Sequence, residues 1–156
     1  SPILTFYGSY RLGETVRLIL FDAVSLHSPL YTDFGVYLSY ETAKVLDERI
    51  TVNILLGGHV IAFDANNQVN FAVGAPQGVE FVYRDFYKKR YALSGGGFIL
   101  PQTSGGKAYQ NVWLRWGTSK LFTEFNYIGW TEPVGNDRVE MQSYGISVGG
   151  PLARFF

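Results

Sequence analysis

Alternation with a period of two, held over runs of roughly 10 to 16 residues, constrains this chain more than any other feature. Thr32, Phe34, Val36, Leu38 and Tyr40 alternate with Asp33, Gly35, Tyr37, Ser39 and Glu41. Ile50, Val52, Ile54 and Leu56 alternate with Thr51, Asn53, Leu55 and Gly57. Val69, Phe71 and Val73 recur in phase with Val79, Phe81 and Tyr83, against Gln68, Asn70, Glu80 and Arg84. Further on, Val112, Leu114 and Trp116 face away from Asn111, Trp113 and Arg115, and Leu121, Thr123, Phe125 and Tyr127 oppose Phe122, Glu124 and Asn126. Successive side chains of a pleated strand point to opposite faces, so each run is a strand with two unlike faces. Residues 10–24 and 41–48 also carry helix-like spacing, but the second continues a strand phase and is read as a strand end.

Turn-forming residues separate the runs at 12–14, 47–49, 64–67, 88–90, 117–120 and 135–137, and 101–107 is a longer polar loop. The pattern predicts an all-β, antiparallel up-and-down barrel in one domain over 1–156, without a linker. Candidate strands are 3–12, 15–26, 31–45, 49–63, 67–86, 90–101, 108–117, 120–130 and 138–150. Single-chain bacterial barrels use even numbers, so eight spanning strands are expected, with 1–12 outside the barrel or pairing only in part. Ten is the count if 67–86 breaks at 74–78.

The solvent of each face is the next question. Charges within the runs are few, lie on the polar face and mix with small residues, whereas a soluble barrel carries its charged face outward. Lipid-facing apolar residues and a polar lumen are the membrane arrangement. Strands this long exceed the ~5–6 residues of an ordinary globular sheet. Tilted membrane strands need ~9–11 residues. The aromatic content of 17% gathers near strand ends, which assigns Tyr31, Tyr83, Phe86, Tyr87, Trp116, Tyr127 and Trp130 to a membrane-interface girdle. Thirteen Lys and Arg balance 13 Asp and Glu, so no basic footprint points to nucleic acid, and the absence of Cys excludes disulfides and thiolate chemistry.

The stretch Tyr144-Gly-Ile-Ser-Val-Gly-Gly-Pro-Leu-Ala-Arg-Phe-Phe156 resembles the closing strand of bacterial outer-membrane β-barrel proteins, which end on an aromatic residue. Pro151 and Arg154 depart from that pattern. The resemblance implies a Gram-negative outer-membrane location among outer-membrane lipids, and insertion by the barrel-assembly machinery with Phe156 as the assembly signal.

No zinc spacing, phosphate loop or nucleophile elbow is present, and neither a metal nor a cofactor is expected. Gly95-Gly96-Gly97 is read as bend or close-packing glycine. His27, Ser28 and His59 are the candidates for general-base and nucleophilic work. Glu41, Asn53, His59, Glu80, Arg84, Arg115, Glu124 and Asn126 share the polar face and are read as a lumen network that fills the barrel. With Gly117 opposite Lys120, Arg115 falls diagonal to Glu124. The basic group Arg84, Lys88, Lys89 and Arg90 is read as a solvated turn. The chain is therefore expected to be an outer-membrane structural protein, anchor or surface-contact module without catalysis, and the membrane module of a longer protein with an upstream domain or surface partner. A lipid-modifying acyl hydrolase or transferase is the first alternative, and a soluble lipocalin-like lipid-binding barrel the second.

Overall fold

The alternating runs become ten antiparallel strands in one sheet: β1 (Ile3–Arg11), β2 (Val16–Ser25), β3 (Tyr31–Val45), β4 (Ile50–Ala65), β5 (Gln68–Gly74), β6 (Gln77–Tyr87), β7 (Tyr91–Leu100), β8 (Ala108–Gly117), β9 (Phe122–Val134) and β10 (Asp137–Gly149). The computed structural model describes residues 3–27, 30–87, 91–118 and 121–149. Each strand pairs with the next along the wall, and β1 approaches β10 closely enough that a Cβ on Gly145 would lie 2.9 Å from Ile3 Cγ1. The result is a nearly closed up-and-down barrel.

Strand number corrects the expectation of eight. β1 is part of the wall, pairing with β2 from Ile3↔Ser25 to Arg11↔Arg17. The 67–86 run does break, giving β5 and β6, which lie end to end along one edge of β4: His59↔Gly74 and Leu56↔Gln77 keep a single register. Pro76 lies at the break, where its ring removes the N–H that a ladder needs. Ten strands thus make a wall nine strands wide. An odd wall of antiparallel neighbours leaves β1 and β10 running in the same direction across the seam, unlike the even walls of single-chain bacterial barrels.

Local sequence sets the hairpins. Asn66 and Asn67 have φ of 54° and 58°, the left-handed pair of a two-residue type I′ turn, which suits Asn. Leu46, Asp47 and Glu48 are also left-handed and close β3 onto β4. The strand ends Arg11, Val16, Val45, Ile50, Tyr87, Tyr91, Gly117 and Phe122 stand at one rim, and Ser25, Tyr31, Ala65, Gln68, Leu100, Ala108, Val134 and Asp137 at the other.

The two faces differ sharply. Outward-facing Phe6, Leu20, Phe34, Val36, Ile54, Leu56, Val60, Phe81, Val112, Leu114, Phe125 and Ile146 are exposed. Asp22 is on this face too, near the second rim, and accepts a hydrogen bond from Thr32 Oγ1 at 3.0 Å. The inward face is mixed: Ile19, Phe21, Tyr37, Leu55, Phe98 and Ile128 are buried there beside Asp33, Thr51, Asn53, His59, Glu80, Asn111, Glu124 and Asn126. Tyr37 stacks on Phe98 at 4.1 Å between ring centres, and Phe98 leans on Trp113 at 5.3 Å. The interior is filled by side chains rather than left as a wide channel.

Candidate functional site

The lumen carries its polar groups in layers. In the middle layer, odd-numbered residues of β3 and β4 point inward, and the register sets His59 opposite Gly35 with Asp33 one inward position away. His59 Nδ1 lies 3.0 Å from Asp33 Oδ1, and the Tyr109 hydroxyl donates to Asp33 Oδ2 at 2.7 Å. Asn111 Nδ2 donates in turn to the Tyr109 hydroxyl at 3.2 Å. Asp33 is wholly buried. His59 Nδ1 is engaged by Asp33, and Nε2 is the ring nitrogen without a hydrogen-bond partner among the described residues. Nε2 is turned toward β5, 2.8 Å from where a Gly74 Cβ would stand, and any larger residue there would displace the ring. A histidine oriented by a carboxylate is two-thirds of an activated-nucleophile arrangement. The last third is missing: among the described residues, no hydroxyl bonds to Nε2.

The layer nearer the first rim is ionic. Arg115 Nε donates to Glu124 Oε2 at 2.9 Å, its Nη2 reaches the same oxygen, and its guanidinium lies over the rings of Tyr7 and Phe122. The register is Gly117↔Phe122, so Arg115 stands directly opposite Glu124, not diagonal to it. The connection is two residues longer than the tight turn expected, which slides β9 by two positions and keeps every side chain on its face. Glu80 Oε2 accepts from Arg17 Nη2 at 2.8 Å and from Asn53 Nδ2 at 2.9 Å, and Arg17 also reaches Ser39 Oγ at 3.3 Å. Asn126 Nδ2 donates to Thr5 Oγ1 of β1 at 3.0 Å.

At the first rim, Arg11, Glu14, Arg17, Glu41, Lys44 and Arg84 surround an open mouth of about 400 Å³. Glu41 pairs with Lys44 at 3.3 Å beside a bulge, and Arg84 is exposed at this mouth instead of lying inside the lumen. The bulge between Tyr83 and Tyr87, with Asp85 left-handed, ends the regular alternation there.

Other singled-out residues separate. Tyr31 and Trp130, expected at the lipid interface, are in the lumen with their rings 5.9 Å apart. Each shares the inward parity of its strand, Tyr31 with Asp33 and Trp130 with Glu124 and Asn126, and parity overrides nearness to a strand end. Trp116 does face outward, stacked on Tyr91, and half-buried Tyr127 packs on Tyr144. Tyr83 is half-buried. Phe86 and Tyr87 belong to β6. His27 is exposed, its Nδ1 2.6 Å from the Leu26 carbonyl, and distant in role from His59. Ser28, Lys88, Lys89, Arg90, Lys120 and Phe156 lie outside the described residues.

Sequence reasoning missed Arg17 and Asp33 as network members. Asp33 was legible from its polar face. Arg17 carried no such signal, because its inward neighbours Ile19, Phe21 and Ala23 are apolar. No group of three or more His, Asp or Glu among the described residues is arranged to hold a metal. Comparison with protein-family models, with curated proteins and with solved structures gave no match.

Proposed function

We propose that this barrel is an integral membrane protein of the bacterial outer membrane, with lipid against its outward face and a lumen sealed by side chains. It serves as a structural element, anchor or surface-contact module that displays the segments 27–31, 101–107 and 131–137. The observation that carries this reading is the outward band of exposed Phe, Leu, Ile and Val, set against Asp33, His59, Glu80, Arg115 and Glu124 on the inside. A soluble barrel has to keep that band in water, whereas a bilayer gives it a matching solvent. Strands of 9 to 16 residues in the full-height part of the wall reach the length that a tilted crossing needs. Asp22 and Thr32 stand near the second rim, where an interface tolerates polar groups.

The ion pairs explain why a pore is not part of the reading. Arg115–Glu124 and Arg17–Glu80 each cross the lumen or its wall, and the stacked Tyr37, Phe98 and Trp113 occupy the space between. Breaking such a pair would be needed before an ion could pass.

The test is refolding into detergent, followed by electrophoresis in SDS with and without boiling. A membrane barrel gives a band that shifts only on boiling, and Leu114→Arg on the outward face lowers its stability in lipid by about 2–4 kcal/mol. A chain that folds in detergent-free buffer, shows no heat-dependent band and tolerates Leu114→Arg would overturn the reading in favour of the soluble lipid-binding barrel.

A further inference from the structure

Beyond Pro76 and Pro101 the wall loses two of its strands. The β6–β7 ladder ends at Gln77↔Ile99, and neither proline beside it has an N–H with which to extend it. β5 therefore pairs with β4 alone. Among the described residues the loop 101–107 does not cap the other edge of β5. Its Thr103 N–H and Gly106 N–H donate within the loop, to Lys107 and Thr103, and its Gly106 carbonyl accepts from Thr131 Oγ1.

Hairpin geometry says which groups that edge carries. A two-residue turn is closed by a pair, here Ala65↔Gln68, that exchanges both backbone bonds, and bonded and non-bonded pairs alternate from there. Gln68, Asn70 and Ala72 thus bond to β4, whereas the N–H and C=O of Val69, Phe71 and Val73 point to the bare edge. The side chains of these same residues face outward and are 67%, 68% and 67% exposed. Their rim is otherwise polar on the outside: Asp64 stands opposite Val69, and Arg138, Glu140 and Gln142 are exposed along β10. The edge is also preformed, because Asn70 Nδ2 donates to the Ala65 and Gln68 carbonyls at 3.1 and 2.9 Å and holds the turn. An unpaired backbone ladder with an apolar side chain at every second residue matches an extended segment that adds as a further strand.

A second copy does not suit this edge in a bilayer. Two β5 strands paired antiparallel are related by a twofold axis perpendicular to the wall, which turns one barrel upside down relative to the other. Barrels inserted in one direction meet through their outward faces instead. We infer that the free edge of β5 is a strand-addition site for an extended segment of a partner protein, apolar at alternate residues and reaching the barrel from the water beyond the second rim. The choice of a partner over a second copy rests on the membrane reading above.

The experiment uses the refolded chain in phosphatidylcholine nanodiscs, which leave both rims open to water. The probe is a dye-labelled synthetic peptide in which valine, phenylalanine and valine alternate with threonine between terminal lysines. Expected are saturable binding by fluorescence anisotropy and slower hydrogen exchange at the amides of Val69, Phe71 and Val73. Phe71→Pro removes an N–H from the free edge and leaves the bonds to β4 in place, and should weaken binding about tenfold or more, against a few-fold for Phe71→Ala. Should Phe71→Pro give no heat-modifiable band, Val69→Pro replaces it. No binding, binding without protection of those amides, or binding that survives the proline overturns the site and leaves the membrane reading standing. Protection of the three amides before peptide is added, rising with protein concentration, makes a second copy the occupant and overturns the partner. A wild-type chain that folds in plain buffer without a heat-modifiable band overturns the membrane reading, and with it the choice of occupant.

Discussion

Asp33 holds donors from two other strands with no solvent to replace either of them. Asp33→Ala strands His59 Nδ1 and the Tyr109 hydroxyl, and each buried unpaired group costs about 1–3 kcal/mol. The urea midpoint of the refolded protein should fall accordingly, and Asp33→Asn, which keeps one acceptor, should fall less. Arg115 and Glu124 make a sharper case. Glu124→Ala leaves a guanidinium among Tyr7 and Phe122 without its counter-charge and should cost about 3–5 kcal/mol, whereas Arg115→Met combined with Glu124→Leu should cost less than that single change. A double-mutant cycle in urea reads both. These residues also mark how far the sequence speaks. Parity places Asp33, His59, Arg115 and Glu124 on the inner face, but it leaves their heights along the barrel free. Height depends on turn length, and the connection after Gly117 is two residues longer than its composition suggests, so partners follow only once the register is known.

At the scale of elements, the β4–β5 hairpin depends on two consecutive left-handed residues, Asn66 and Asn67. Asn67→Val should destabilise by about 1–2 kcal/mol, because a Cβ-branched side chain resists that conformation. Asn67→Gly should be neutral or mildly stabilising, since glycine is the preferred second residue of this turn. The thermal unfolding midpoint ranks the three proteins. The break between β5 and β6 was legible, because Gly74-Ala75-Pro76 interrupts an otherwise clean alternation. β1 was legible as a strand over 3–12 but its place in the wall was not: Ile3, Thr5 and Tyr7 on one face and Leu4, Phe6 and Tyr10 on the other are both largely apolar, so the alternation gives little sign of which face meets the lumen. Two of the aromatics assigned to the girdle are placed differently for a related reason. Tyr31 and Trp130 lie near strand ends, yet their phase commits them to the lumen, and phase was the stronger signal.

For the molecule as a whole, the seam is the weakest part of the wall. β1 and β10 lie side by side in the same direction, and the contact recorded across the lumen side is Thr5 with Asn126 and Ile3 with Gly145. Outward residues of β10, such as Ile146 at 76% exposure, are barer than those of the interior strands. Amides on the seam-facing edges of β1 and β10 should therefore exchange with deuterium faster than those of β3 and β4, measured site by site in detergent. Uniform protection around the wall would contradict this. The nine candidate runs counted in the sequence matched the width of the wall, and the even-number rule was what misplaced β1. A strand path that crosses an odd number of times finishes on the side it did not start from: Ile3 is beside Ser25 at one rim, and Gly149 is beside Phe122 at the other. Polypeptide joined ahead of Ile3 and polypeptide joined after Gly149 would consequently leave the barrel from opposite rims, like the two heads of a rivet.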